Sequence, residues 1–464
     1  MQYISTRGGG DPLGFQQAVM TGLARDGGLL LPAVIPDVRD RLDAWRSLSY
    51  VDLAVEIIRL FADIPETDLR RIIKESYASF RHPEITPVVK VGEAYVLELF
   101  HGPTLAFKDV ALQFLGGVFE YILARQGGQL NIVAATSGDT GSAAIYGVRG
   151  RDRIRIFVLF PKGRVSPTQE QQMTSVLDDN VFCVSVEGTF DDCQGIVKAL
   201  FNDLEWRDSA SLGAVNSINW ARILAQIVYY FYGAFRVQAL TGAPRVRFAV
   251  PTGNFGDIFA GYMAARMGLP IGKLVLAAND NDILSRFFNT GVYAQGAVHV
   301  TPSPSMDIQV ASNFERYLFY RANGEASVVR GWMEDFKRTG KLEVSDWNVR
   351  PDPLFLAGSA STEETLACIR RIWQDHAYLV DPHTAVGLVV SARTTGSEEP
   401  MIALATAHPA KFNQAIVDAT GEDQAHHPIL DALAGLPVRC VTLPASEDAI
   451  RLFVSDHIDK PTAV

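Results

Sequence analysis

Lys108 is the residue of this sequence best placed for chemistry, because it stands at the start of a predicted helix. Apolar residues recur at helical spacing over residues 110–123, and Thr104 is the predicted N-cap. A helix favours a cation in its last turn, so a first-turn position among apolar neighbours should lower the pKa of the Lys108 amine. A partly neutral amine is the nucleophile that bonds to a carbonyl carbon. The alternative is a solvated lysine near a helix start.

A second candidate site is the loop at residues 251–257 (PTGNFGD), between a predicted strand at 245–250 and a predicted helix at 257–268. Glycines at such a turn let backbone N–H groups converge on an anion, and the helix N-terminus adds favourable partial charge. The loop is neither GxGxxG nor a Walker motif. We expect it to hold a phosphate, and a tight turn without a ligand is the alternative. The candidate residues are Gly253, Asn254, Phe255, Gly256 and Asp257.

A third candidate site is the loop at residues 137–142 (SGDTGS), which also opens a predicted helix. The hydroxyls of Ser137, Thr140 and Ser142 suit a carboxylate or phosphate ligand. Asp139 is unusual in an anion site, and an N-cap role for Asp139 or Thr140 is the alternative. A first-turn lysine with two anion-binding helix N-termini indicates pyridoxal phosphate with a second anionic ligand.

Predicted strands alternate with predicted helices around these loops, which favours an α/β fold with a largely parallel sheet and ligands at the carboxyl ends of the strands. The predicted strands are 95–100, 131–136, 153–160, 181–186, 245–250, 274–278 and 401–406. The predicted helices are 15–24, 51–61, 69–80, 110–123, 140–149, 166–177, 190–204, 220–236, 257–268 and 361–376. We expect a small N-terminal helical domain (1–90), an α/β core (91–275 and 351–464) with a smaller subdomain at about 100–230, and an elaboration at 276–350.

Composition excludes several classes of function. The net charge of −10 argues against nucleic acid or an anionic membrane as the main partner. No apolar run approaches the roughly 20 residues of a membrane span, and the polar N-terminus predicts no signal peptide. Four scattered cysteines without zinc spacing are typical of a reducing compartment, so we expect a cytoplasmic protein.

Several motifs, in order along the chain, resemble the threonine synthase family of tryptophan-synthase-β-like enzymes, which have pyridoxal phosphate fold type II. The resemblance covers nearly the whole chain, from YISTRG (3–8) and DGGLLLP (26–32) onward. The other motifs are ELFHGPTLAFKD (98–109), ATSGDTGSAA (135–144), FPKGRVSPTQEQQM (160–173), NSINWARILAQ (216–226), PTGNFGD (251–257) and ALATAHPAKF (403–412).

The resemblance implies roles for individual residues. Lys108 would bind the cofactor covalently, residues 253–256 would hold its phosphate, and Thr406 would face its pyridine nitrogen. A neutral hydroxyl at that nitrogen suits elimination chemistry better than transamination. Asp139 would lie beside the cofactor's 3-hydroxyl, where relatives often have asparagine. Lys162 and Arg164 are candidate partners of a substrate phosphate, and a solvated basic turn is the alternative. The substrate-binding candidates are Thr104, Ser137, Thr140, Ser142, Lys162 and Arg164.

The implied reaction converts O-phospho-L-homoserine and water to L-threonine and phosphate, with Lys108 moving protons at the substrate Cα and Cβ. One rival is a phospholyase of the same family, which would release 2-oxobutyrate, ammonia and phosphate. A second rival is a non-catalytic protein that retains the cofactor site. A serine or threonine dehydratase is disfavoured, because it would not need cations that bind a substrate phosphate. A dehydrogenase is disfavoured, because no GxGxxG motif follows a predicted strand. We expect a monomer or dimer.

Overall fold

A computed structural model describes residues 1–347, 349, 351–394 and 398–458. Its strands are β1 (Tyr3–Ser5), β2 (Leu30–Pro32), β3 (Val88–Val91), β4 (Ala94–Glu98), β5 (Leu130–Ala135), β6 (Ile154–Pro161), β7 (Val181–Glu187), β8 (Leu212–Gly213), β9 (Val246–Pro251), β10 (Ile271–Ala278), β11 (Val292–Ala294), β12 (Lys341–Glu343), β13 (Phe355–Ser359), β14 (Met401–Ala405) and β15 (Val441–Pro444).

The helices are α1 (Phe15–Thr21), α2 (Leu42–Trp45), α3 (Tyr50–Ile58), α4 (Glu66–Tyr77), α5 (Lys108–Gln126), α6 (Asp139–Val148), α7 (Pro167–Thr174), α8 (Phe190–Asn202), α9 (Leu204–Ser209), α10 (Trp220–Thr241), α11 (Gly256–Arg266), α12 (Ile283–Thr290), α13 (Phe314–Arg321), α14 (Ala326–Thr339), α15 (Thr362–His376), α16 (Pro382–Ala392), α17 (Asn413–Thr420), α18 (Pro428–Asp431) and α19 (Glu447–Ile458). Two 3-10 turns span Pro304–Met306 and Pro409–Phe412. None of the helices in the described ranges is long and apolar enough to cross a membrane.

Two sheets carry the architecture. The six-stranded sheet has the order β13-β10-β9-β14-β4-β3 and is parallel except for the β3–β4 pair. The five-stranded sheet has the order β15-β7-β6-β5-β8 and is parallel throughout. Every residue of β6, β9 and β14 is buried, because helices cover both faces of a parallel sheet. The α/β fold class with parallel sheets is therefore confirmed.

All the predicted strands and helices are present, with ends displaced by a few residues. The N-cap prediction for Thr104 is wrong, because α5 begins at Lys108 after Phe107. The Thr104 N–H and hydroxyl instead donate to the two carboxylate oxygens of Asp109, at 2.8 and 2.7 Å. The prediction that Lys108 lies in the first helical turn is confirmed.

The short elements that complete the sheets were not predicted from the sequence. β3 and β13 form the two edges of the six-stranded sheet, and α16 packs against β9 and β10. The segment after residue 412 contains β15 as well as the helices α17, α18 and α19. Val441 of β15 pairs in parallel with Val184 of β7, and α19 contacts α8. The C-terminal segment therefore returns to the five-stranded sheet.

Candidate active site

Two loops that follow neighbouring parallel strands bring Lys108 and Thr406 together. β4 and β14 are paired with Glu98 opposite Ala405, so the chain leaves both strands at the same sheet edge. Beyond that edge the Phe107 N–H donates to the Thr406 carbonyl oxygen at 2.8 Å, and the His408 N–H donates to the Leu105 carbonyl oxygen at 3.0 Å. The buried Thr406 is therefore hydrogen-bonded, through its carbonyl oxygen, to Phe107, which is the residue before Lys108.

The loop before Lys108 is held in a strained conformation. Leu105 has φ of +64°, a region that leucine rarely adopts. Gly102 has no room for a side chain, since a Cβ atom there would lie 2.4 Å from the Asp109 Cβ. Backbone strain of this kind persists where the surrounding contacts fix the geometry of a functional loop. Here those contacts fix the start of α5.

Lys108 lies in a closed polar site with only 8% of its surface exposed. Its Nζ donates to the Ser305 hydroxyl at 3.3 Å and lies 3.7 Å from the Asp139 carboxylate. Burial lowers the pKa of the Lys108 amine; Asp139 opposes this shift, and Lys411 and Arg222 add to it. The predicted direction of the pKa shift is therefore confirmed, and its largest cause is burial.

Asp139 is buried between two lysines. Lys411 Nζ lies 2.8 Å from Asp139 Oδ1, which also accepts the Gln169 side-chain N–H at 2.9 Å. Burial alone would raise the pKa of this carboxyl, but Lys411 and Lys108 outweigh burial and hold the pKa well below its usual range. Lys411 also donates to the Thr104 carbonyl oxygen at 2.7 Å. An acidic residue can occupy this loop because Lys411 compensates its charge.

The loop after β9 has the shape of a phosphate cradle. Phe255 has φ of +64°, and it directs the chain into the N-terminus of α11. A Cβ atom on Gly253 would lie 2.7 Å from the Ser305 carbonyl oxygen, so only glycine fits there. The Asn254 carbonyl accepts the Asn313 N–H at 3.0 Å, which ties the loop to α13. The backbone N–H groups of α11's first turn are the donors available to an anion.

The Asp257 carboxylate bonds to two tyrosines of α10. Its Oδ1 accepts the hydroxyls of Tyr229 and Tyr230 at 2.5 and 2.9 Å, within the core beneath the loop. Burial raises the pKa of Asp257 to about 6, while the two tyrosine hydroxyls lower it. The side chain therefore anchors α11 to α10.

The loop at residues 137–142 offers fewer free hydroxyls than the sequence suggested. Thr136 Oγ1 accepts the N–H groups of Gly138 and Gly141 at 3.0 and 2.8 Å, so Thr136 takes the capping role considered for Asp139 or Thr140. The Ser142 hydroxyl donates to the Asp139 carbonyl oxygen at 3.2 Å. The hydroxyls of Ser142 and Thr104 are thus used inside the protein, and we do not retain them as substrate donors. Ser137 is exposed and Thr140 half-buried.

The predicted phosphate partners Lys162 and Arg164 are exposed just beyond β6, where Lys162 Nζ lies 3.2 Å from Glu187 Oε1. A buried cation that sequence analysis missed is Arg222 in α10, which is 4% exposed. It donates to the Val215 carbonyl oxygen at 3.1 Å, and its Nε has no partner among the described residues. Burial lowers the pKa of Arg222 to about 10, so the arginine remains charged at neutral pH.

Pyridoxal phosphate fits this set of residues. The buried amine of Lys108 has a lowered pKa, and Thr406 is hydrogen-bonded to the residue before it. Ser305 contacts the amine through its hydroxyl and faces Gly253, in the loop that opens α11, through its carbonyl oxygen. Three further residues of the site, Lys411, Arg222 and Ser305, were not predicted. Lys411 and Arg222 lie inside motifs that carry the family resemblance, but Ser305 lies in the segment predicted to be an elaboration.

Three family models match the chain. Residues 2–77 match "Threonine synthase N terminus", residues 80–331 match "Pyridoxal-phosphate dependent enzyme", and residues 384–454 match "Threonine synthase, C-terminal". These ranges contain all the site residues named above.

Similar proteins match over nearly the whole length. Threonine synthase of Schizosaccharomyces pombe is 48% identical over 460 residues, covering 90% of this chain and 88% of that protein. Threonine synthase of Pseudomonas aeruginosa is 46% identical over 470 residues, covering 98% of both chains. The crystal structure of PLP-bound threonine synthase from Brucella melitensis has a TM-score of 0.93 at 47% identity, covering 99% of this chain and 100% of that chain.

Proposed function

This chain belongs to the threonine synthase family, and we propose which of its residues carry out the family's reaction. The chain is a pyridoxal-phosphate-dependent lyase that converts O-phospho-L-homoserine and water to L-threonine and phosphate. The observation that carries the assignment of roles is the placement of Lys108. Its amine is buried, its pKa is lowered, and it donates to Ser305, whose carbonyl oxygen faces Gly253 in the loop after β9. The residue before it, Phe107, is hydrogen-bonded to Thr406 after β14.

The cofactor would be held at three points. Lys108 would bind it covalently, the backbone of residues 253–257 would bind its phosphate, and Thr406 would face its ring nitrogen. When bound, pyridoxal phosphate withdraws electron density from the substrate carbons and so permits loss of phosphate from Cγ. The fixed Asp139 carboxylate would accept a hydrogen bond at the edge of the ring.

Lys108 would also move the protons of the reaction. The neutral amine of Lys108 would accept the proton at the substrate Cα and later return a proton at Cβ. The pKa lowered by burial keeps a usable fraction of this amine neutral near pH 7. Ser305 accepts a hydrogen bond from Nζ, which aims the amine.

Two anionic groups of the substrate need separate partners. The first turn of α6, with Ser137 and Thr140, suits the substrate carboxylate, because its N–H groups lie at a helix N-terminus. Arg222 suits the substrate phosphate, because its buried guanidinium has no carboxylate partner among the described residues and would be stabilised by an anion. The exposed Lys162 and Arg164 would attract the phosphate at the entrance.

We further propose a cytoplasmic enzyme that is a monomer or dimer. The four cysteines are free thiols, three of them buried, which suits a reducing compartment. Sedimentation analysis across a range of protein concentrations measures the assembly state directly.

Product analysis tests the function. Purified holoenzyme is incubated with O-phospho-L-homoserine, and phosphate, threonine, 2-oxobutyrate and ammonia are quantified together. We expect threonine equimolar with phosphate, and no turnover in Lys108→Ala. Equimolar 2-oxobutyrate, ammonia and phosphate would identify the phospholyase instead. Turnover that survives in Lys108→Ala would overturn the role of this residue.

A further inference from the structure

Asp381 and His383 form a buried pair at the start of α16 that none of the proposed steps uses. They are 1% and 3% exposed. Asp381 is the N-cap of α16, and its carboxylate accepts the N–H groups of His383 and Thr384 at 2.9 and 3.3 Å. The position of this carboxylate is therefore fixed by the helix itself.

The protonated nitrogen of His383 follows from its two neighbours. His383 Nδ1 lies 2.7 Å from Asp381 Oδ1, and a carboxylate can only accept, so Nδ1 carries the proton. His383 Nε2 then has a free lone pair, and it accepts the Ser305 N–H at 3.4 Å. Both contacts therefore indicate the tautomer that is protonated at Nδ1. The ring also packs edge-on against Phe412, with 4.9 Å between the ring centres.

Ser305 touches both the catalytic amine and the phosphate cradle. Its hydroxyl accepts the Lys108 Nζ at 3.3 Å, and its carbonyl oxygen is the atom that leaves Gly253 no room for a Cβ. The Asn279 side-chain N–H groups donate to the Ser303 hydroxyl at 2.9 Å and to the Asp307 carboxylate at 2.7 Å. These bonds hold the chain on both sides of Ser305. Among the described residues, His383 is the partner of the Ser305 N–H.

We propose that Asp381 and His383 are positioning residues that hold the main chain of Ser305 in place, so that its hydroxyl orients Lys108 and its carbonyl closes the cofactor cradle at Gly253. This inference rests on the proposed role of Lys108 as the cofactor-binding lysine. The pair acts through Ser305 and does not touch the amine. A misplacement of about 1 Å at a reacting group lowers turnover by about 100-fold.

Two amides in place of His383 separate its two hydrogen bonds. In His383→Gln, the side-chain oxygen reaches the place of Nε2 and can still accept the Ser305 N–H. In His383→Asn, the amide takes the place of Nδ1 and can still donate to Asp381, but it does not reach Ser305. Both variants remove the ring, so they share any cost of lost packing.

The test measures the holoenzymes in three ways: the rate of cofactor loss on dilution, the absorption spectrum of the bound cofactor, and kcat against KM. We expect His383→Asn to lose cofactor faster, to show a displaced absorption band and to lose about 100-fold in kcat with little change in KM. His383→Gln should recover most of each. Equal behaviour of the two variants in spectrum and kcat would overturn the proposal, whether both resemble the parent or both fail alike.

A second pair of variants keeps the test valid if His383→Asn does not fold. Ser305→Ala removes the hydroxyl that meets Lys108, and Ser303→Ala removes a hydroxyl of the same segment that meets Asn279. We expect a changed absorption spectrum in Ser305→Ala and the parent spectrum in Ser303→Ala; the reverse would contradict the role of Ser305. Borohydride treatment of the parent enzyme, followed by peptide mass analysis, identifies the residue that binds the cofactor. This result tests the proposed function separately from the positioning role of Asp381 and His383. Cofactor found elsewhere than on Lys108 would refute the proposed function, whereas the outcomes above concern His383 and Ser305.

Discussion

The carboxylate of Asp139 is shared by two buried lysines, with Lys411 Nζ 2.8 Å from Oδ1 and Lys108 Nζ 3.7 Å from Oδ2. Asp139 and Lys411 are 5% and 3% exposed. Lys411 makes the close contact, so it would remain the counterion of Asp139 if Lys108 binds the cofactor as proposed.

Removal of Lys411 should therefore be costly, and the cost should depend on Asp139. We expect Lys411→Met to lower the free energy of unfolding by about 3–5 kcal/mol, because the buried Asp139 carboxylate loses its close counterion and keeps only the more distant Lys108. Asp139→Asn in the same chain should restore much of that loss, since the neutral amide needs no counterion. Urea unfolding of both single variants and the double variant measures the coupling free energy between them. Additive costs would show that the two side chains do not interact.

Much of the site could be predicted from the sequence, because short stretches of the chain indicate the strands and single out Lys108. The runs 245–250 and 401–406 are mostly apolar, because β9 and β14 are buried on both faces, and the loops after these neighbouring parallel strands had to reach one sheet edge. Lys108 was recognisable because a first-turn lysine departs from helix preferences.

The partners of Lys108 were not predictable in the same way. Ser305 is 197 positions away in the chain, and Lys411 meets Thr104 across 307 positions. No local pattern marks such contacts. The N-cap prediction failed because α5 begins at Lys108, and the Thr104 hydroxyl donates to the Asp109 carboxylate instead of accepting an N–H group of the first helical turn.

The phosphate cradle should be sensitive to a single methyl group at Gly253. In Gly253→Ala the new Cβ would meet the Ser305 carbonyl oxygen at 2.7 Å, so the loop must shift and cofactor affinity should fall by at least about 10-fold. In Gly256→Ala the nearest atom is the Asn313 side-chain nitrogen at 3.3 Å, and we expect a smaller loss. Titration of the apoenzyme with cofactor, followed by tryptophan fluorescence, gives both affinities.

A glycine in open space provides the control for that comparison. Gly331 lies in α14, where a Cβ atom added to it would meet no atom within 4 Å, and Gly331→Ala should leave cofactor affinity unchanged. A helix interior favours alanine over glycine by about 1 kcal/mol, so this variant should also be slightly more stable. Equal cofactor affinities in Gly253→Ala and Gly331→Ala would contradict the proposed cradle.

Asp257 should make stability depend on pH in the acid range. Its pKa is about 6 in the folded chain against an ordinary value of 3.8, so between these values the folded state binds more protons than the unfolded state. The contribution of this group to stability is then present at low pH and is lost as pH rises through about 6. Asp257→Asn keeps a neutral side chain at every pH. We expect its free energy of unfolding, relative to the parent, to rise by about 1–3 kcal/mol between about pH 4 and about pH 7.

Urea unfolding at several pH values measures that difference, and Asp11→Asn is the matched control because Asp11 is exposed. The control variant should track the parent protein across the range. A difference for Asp257→Asn that does not vary with pH would show that this carboxyl titrates normally in the folded chain.

Arg222 should lower the stability of the protein while serving its function. Its buried guanidinium has a single protein acceptor, the Val215 carbonyl oxygen, and lacks a carboxylate partner among the described residues. We therefore expect Arg222→Met to unfold at the same or a higher urea concentration than the parent apoenzyme, because an uncompensated buried charge is removed. The same variant should lose at least about 10-fold in kcat/KM for O-phospho-L-homoserine, since the phosphate loses a charged partner.

Arg316→Met is the contrasting variant: this equally buried arginine donates to the carbonyl oxygens of Leu30 and Ile218, so its loss should destabilise the fold. An Arg222→Met enzyme with unchanged kcat/KM would exclude Arg222 as the phosphate partner and leave Lys162 and Arg164 in that role.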